Sequence, residues 1–146
     1  MASVKQVVGA KAALAVAGLP TLASGSYAMS ATKSNTLNQP SDLMLELTLT
    51  AGAAVSGNKQ AVVFAQASLD GTSFQTGANA ADEAVMTRLG SLQLPTGGGM
   101  QTGYFTLAAA YGGVLPPNTR FVVKNDSGAA FTDGSLSVAE VSLTVS

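Results

Sequence analysis

The sequence predicts an all-β chain folded as an antiparallel sandwich or barrel, and three observations predict it. Leu43, Leu45, Leu47 and Leu49 alternate with Met44, Glu46, Thr48 and Thr50. A period of two sets the four leucines on one face of a strand, against a core. Short apolar runs recur along the chain with Gly, Pro, Asn and Asp between them, giving about seven or eight strands at the spacing of sandwiches and barrels. No long stretch carries the 3.6-residue apolar period of a helix.

The N-terminal residues stand apart from this pattern. Lys5 and Lys11 precede a mildly apolar stretch at 12–22, followed by Ala23, Ser24 and Gly25. Basic, then apolar, then small is the order of a secretory signal. Pro20 interrupts the run, however, and it is built of Ala and Gly rather than strong hydrophobes, so the segment is expected to stay with the protein. No apolar stretch reaches the ~20 residues that a membrane-spanning helix needs. Val4, Val7 and Val8 hint at a helical turn that Gly9 and Lys11 weaken. Residues 1–24 therefore read as an extended arm, and 25–146 as the sandwich domain. An apolar segment outside the strand pattern needs a partner surface. It could pack on its own domain, or reach a neighbour and add a strand or an apolar strip there. Val4, Val7, Val8, Leu14, Val16, Leu19 and Tyr27 are the candidate partner-binding residues.

The strands follow in order. Tyr27, Met29 and Ala31 alternate loosely within 26–37, an early strand. After the leucine strand, Ser56-Gly57-Asn58 marks a loop. Residues 60–69, with Val62, Val63 and Phe64, form a strand running into Asp70-Gly71, a pair that tolerates the positive φ of tight turns, and Thr72 to Phe74 would begin the return. Residues 77–87 read as a loop or one short helical turn, with Asp82 and Glu83 near its start. A short strand at 89–94 ends at Pro95 and the loop tip Gly97-Gly98-Gly99. Another spans 103–111. Pro116 and Pro117 lead into a strand at 119–124, with Phe121 and Val123 on one face and Arg120, Val122 and Lys124 on the other. Asn125-Asp126-Ser127-Gly128 is a turn. The last strand, 135–145, carries Leu136 and Val138, then Val141, Leu143 and Val145. Its parity flips between Val138 and Val141, which predicts a β-bulge near Ala139 and Glu140 to restore the inward face.

Composition limits the chemistry. Of 146 residues, 47% are hydrophobic and only 10% charged, with a net charge of −1. A usual domain is ~25% charged, so no basic patch for nucleic acid is expected, and self-repulsion at high local concentration is weak. There is no Cys, His or Trp. Disulfides, thiolate nucleophiles, His-based triads and the commonest metal ligands are therefore excluded. No cofactor is expected, and no enzyme activity; a hydrolase would have to work with carboxylates alone.

The remaining candidate sites have simpler explanations. Asp82 and Glu83 are adjacent, so their side chains diverge, which is poor geometry for two-carboxylate hydrolysis. Asp126 and Asp133 could offer oxygens to calcium, but turn chemistry accounts for both. Gly97-Gly98-Gly99 lacks the Lys and Ser/Thr of a phosphate loop. Asn125-Asp126-Ser127 matches a glycosylation sequon, a match common by chance. Tyr27, Tyr104 and Tyr111 are the aromatics expected to reach a surface, since their hydroxyls need partners.

Three segments carry a family resemblance: Ser68-Leu69-Asp70-Gly71-Thr72-Ser73-Phe74, the proline-led run from Leu115 to Lys124, and the closing run from Phe131 to Val141. Together they resemble the capsid cement (decoration) proteins of short-tailed bacteriophages with an HK97-type shell, over roughly residues 25–146. The resemblance implies a jelly-roll sandwich on the outer surface of a virion. Its partners would be the phage major capsid protein and a second copy of itself, in a homodimer or trimer, with terminal segments clasping neighbours. It implies no direct contact with nucleic acid or membrane. Two other classes remain open: a tail or pilus-type subunit that polymerises through its arm, and a carbohydrate-binding β-sandwich module, which usually needs exposed aromatics or calcium.

Overall fold

The leucine alternation gives the fold its first sheet. Leu43, Leu45, Leu47 and Leu49 are fully buried, while the residues between them are half-buried on the other side. The computed structural model describes residues 1–77 and 82–146. Its strands are β1 (Val4–Val8), β2 (Ala12–Leu14), β3 (Tyr27–Met29), β4 (Lys33–Ser34), β5 (Asp42–Ala51), β6 (Gln60–Ser68), β7 (Thr87–Gln93), β8 (Gly99–Thr106), β9 (Asn118–Asp126) and β10 (Phe131–Val145). One sheet runs β1/β2–β10–β5–β8 and the other β3/β4–β9–β6–β7, with every pairing antiparallel.

β1 and β2 lie end to end along β10, and β3 and β4 lie end to end along β9. With each broken pair counted as one strand, the order is 1-8-3-6 in one sheet and 2-7-4-5 in the other. That is the double Greek key of a jelly roll. Side chains from the two inner faces meet in one core, with Leu43, Leu45, Leu47, Leu107, Phe121, Val63 and Leu136 among its members.

Residues 1–24 thus supply the first strand of the sandwich. Of the two dispositions open to the segment, packing on its own chain is the one seen. After β2 the chain crosses from the first sheet to the second. Val16 bridges Ser30, and the Ala31 N–H donates to Ala15 O at 2.8 Å. A 3₁₀ turn at Leu19–Thr21 then sets Leu19 and Leu22 into the core. Period-two reading fails for this stretch because β1 is exposed on both faces and β2 spans three residues.

The predicted bulge is on the other strand. β10 pairs with β5 without interruption from Asp133 to Val141, its register shift lying between Phe131 and Asp133. Opposite β10, Val8 pairs with Val141 and Ala12 with Val138, so residues 9–11 oppose only Ala139 and Glu140. The extra residue sits at the Gly9–Lys11 break, on the edge strand. Glu140 keeps the inward position opposite Leu43, at the end of the sandwich, where Lys33 and Asn38 hold it. Val141 passes to the outer face.

Two further expectations shift. β8 ends at Thr106, and 108–111 form a 3₁₀ turn rather than strand. Asp42 Oδ1 accepts the N–H groups of Leu107 and Ala108, at 3.1 and 2.7 Å, and so turns the chain there. No strand follows Gly71 at 72–74, because Asp70 Oδ1 accepts the N–H groups of Thr72 and Ser73 and curls the backbone on itself. Of the loop predicted at 77–87, residues 78–81 lie outside the described residues; Glu83–Val85 is a short 3₁₀ turn.

Candidate interaction surface

The two sheets differ in what covers them. Outside the second sheet, Val62, Phe64 and Val122 form a small second core with Met86. Phe74, Gly77 and Glu83, from the described parts of the segment between β6 and β7, close over it. Arg120 lies over the Phe74 ring at 4.4 Å, Gln66 donates to Gly77 O, and Glu83 binds both Lys124, at 2.5 Å, and the Tyr27 hydroxyl. Lys124 and Tyr27 hydrogen-bond to the Glu83 carboxyl and hold it below its ordinary range.

Outside the first sheet, the described residues leave the surface open. β5 presents Met44, Glu46, Thr48 and Thr50, with Thr106, Tyr104, Thr102 and Met100 of β8 beside them in register. β10 adds Ser135 and Ser137, and Ala139 next along the strand is buried. Tyr104 is 59% and Met100 69% exposed. The central charges are paired. Lys11 donates to Glu46 Oε1 at 2.7 Å, and Tyr104 donates to Glu46 Oε2 at 3.1 Å. These bonds lower the Glu46 carboxyl and raise the Lys11 ammonium relative to their ordinary pKa values. Asp42, whose Oδ1 accepts backbone N–H groups, and Asp133 remain as one acid at each end of the face.

This face continues into a projecting ribbon. β10 outruns β5 past Val141, and β1 alone pairs with its last residues. Ser3 and Ser146 close the tip with two backbone bonds of 3.0 Å. Side chains opposite one another in an antiparallel pair share a face, so Val4, Gln6 and Val8 lie with Val145, Leu143 and Val141. Five of these six are apolar; Val4 is 66%, Leu143 61% and Val145 72% exposed. Val141 alone is buried.

Of the candidate partner-binding residues, Val4 and Val8 therefore share the ribbon's apolar face. Val7 pairs with Ser142 on the opposite face. Leu14 and Val16 are half-buried against the core, and Leu19, at 1% exposure, belongs to it and offers nothing to a partner. Tyr27 lies on the outer face of the second sheet, bonded to Glu83. Leu143 and Val145 were not among the candidates. Their signal was the parity flip after Val138, which marks a change of face rather than a bulge.

The polar candidates are engaged within the fold. Asp126 accepts from Asn58 and Gln60, and Asp133 accepts the Gly134 N–H. The sequon Asn125 is fully buried, its amide donating to Leu22 O and Ala129 O at 2.8 Å. Among the described residues, no three acids cluster so as to hold a metal ion, and no helix is long and apolar enough to cross a membrane.

The chain matches no protein-family model and no curated protein sequence. Similar solved structures include BuGH86 in complex with neoagarooctaose, at 7% identity and a TM-score of 0.48, aligned over 99% of this chain and 20% of that one. A β-porphyranase of glycoside hydrolase family 86 from the human gut bacterium Bacteroides plebeius aligns at 13% identity and a TM-score of 0.42, over 98% and 21%. A latent aurone synthase (polyphenol oxidase) aligns at 12% identity and a TM-score of 0.35, over 98% and 24%. The chain thus spans about a quarter or less of the length of each, and likeness at this level carries no functional argument.

Proposed function

We propose that this chain is a structural virion protein that binds the outside of a tailed-phage capsid and cements neighbouring capsomers. The observation that supports it is the open, sparsely charged outer face of the first sheet, continuous with the apolar face of the terminal ribbon. Contiguous apolar surface left uncovered in a folded chain is the mark of an interaction site. A partner that binds only the assembled shell stabilises it by mass action against the pressure of packaged DNA. Exposed Tyr104 and Met100 on the β8 side of this face, and the valines of the ribbon beyond its β10 side, have the chemistry of interface anchors, which favour aromatic and long flexible side chains.

The test is binding to purified phage shells stripped of decoration protein. The expected result is a fixed number of copies per shell and a rise in the shell's melting temperature. Shells that neither bind the chain nor melt later in its presence would sink this reading. The open edge of β1 favours a second reading, a subunit that polymerises through strand addition. Filaments formed by the isolated chain would support that reading instead.

A further inference from the structure

The outer edge of β1 has a property that the shell-binding reading does not use. Among the described residues β1 pairs only with β10, and all five of its residues are exposed. The ladder fixes which backbone groups point away from the fold. Ser3 and Ser146 exchange both bonds, and the Gly9 N–H donates to Glu140 O at 2.9 Å. Bonded and non-bonded pairs alternate along an antiparallel ladder. Lys5 and Val7 therefore turn their backbone groups toward β10, while Val4, Gln6 and Val8 turn theirs outward. The same three residues carry their side chains on the ribbon's apolar face.

The outward positions read the same from either end, with Val4 and Val8 at equal distances from Gln6. We propose that two copies of the chain pair antiparallel along β1, about a two-fold axis through Gln6. Gln6 then stands opposite Gln6 of the second copy, and Val4 opposite Val8, each pair exchanging the N–H and C=O groups that point outward. Lys5 falls opposite Val7, so the two lysines do not face each other. The first sheets of both copies become one sheet, and the valines and leucines of both ribbons form one apolar strip. A second copy fits better than an unrelated strand for two reasons. The register is self-complementary, and a net charge of −1 offers little repulsion between copies.

The test is the mass of the full-length chain by sedimentation equilibrium over a wide concentration range, which needs no shell and is independent of the shell reading. A dimer is expected. Gln6→Pro removes an outward N–H and leaves the β10 ladder intact, as proline does on an edge strand; it should give a monomer with unchanged circular dichroism and melting. Gln6→Glu sets two carboxylates against each other and should weaken association by roughly tenfold or more at neutral pH. An equimolar mixture of Gln6→Glu and Gln6→Lys should restore it, and this pair decides the matter if the proline variant melts early. A wild-type chain that stays monomeric overturns the proposal, as does a natively folded Gln6→Pro dimer. Shell binding by a monomer through β1 would overturn the pairing and leave the shell reading standing.

Discussion

Lys33 Nζ on the edge of the second sheet lies 2.7 Å from Glu140 Oε1 on the first, so one ion pair joins the sheets at the end from which the ribbon projects. Bonds from Lys33 and Asn38 hold the Glu140 carboxyl below its ordinary 4.5. A carboxyl depressed in the folded state contributes stability above its unfolded pKa and loses it as pH falls through the folded value. Glu140→Gln is expected to lower stability at neutral pH by at most about 1 kcal/mol, since both side chains are partly solvated. The difference from wild type should shrink below pH 4.5, as read by urea unfolding across pH.

Leu19 is expected to behave as a core residue. Its side chain lies so close beneath Gly134 that a Cβ there would stand 3.0 Å from Leu19 Cγ. Leu19→Ala should cost about 2–5 kcal/mol, measured by chemical denaturation. A chain lacking residues 2–24 loses this leucine, Leu22 and a whole strand, and is expected not to fold cooperatively. Removal of 2–8 alone strips the ribbon and should leave a cooperative unfolding transition.

Asn125 should tolerate little. Its amide donates to Leu22 O and Ala129 O, and its Oδ1 accepts from Ser127. Asn125→Ala leaves the buried Ser127 N–H without its acceptor, while Leu22 O keeps the Phe131 N–H and Ala129 O keeps the Ser127 hydroxyl, and should destabilise by about 1–3 kcal/mol. A melting temperature unchanged from wild type would contradict this account.

Much of this was legible in the residues themselves. The leucine strand, the two faces of 119–124 and the sandwich class follow from period two, because those strands bury one face or both. The arm was not legible, since an edge strand exposed on both sides has no alternation to read. Glu140 was misjudged for a related reason. A carboxylate at an inward position looks like a break in the pattern, and only the ion pair with Lys33, 107 positions away, explains it. The open sheet face was legible as the polar half of a strand; that nothing described covers it is a matter of topology.

Met100 and Tyr104 separate folding from binding. Met100→Glu and Tyr104→Ala alter exposed side chains and should change stability by no more than about 0.5 kcal/mol. If the outer face of the first sheet meets the shell, both should reduce the bound stoichiometry in a shell-pelleting assay. Full occupancy by both variants would move the contact elsewhere.

The Ser3–Ser146 bonds at the ribbon tip bring the two ends of the jelly roll together. Any peptide joined ahead of Ser3 or behind Ser146 leaves the molecule at the same point, away from the core. A short linker across that point would make the backbone a closed ring, which could be reopened at the exposed loop of residues 53–58 to give a permuted chain with the same sheets. Cargo carried on both ends would be displayed as a pair from one spot.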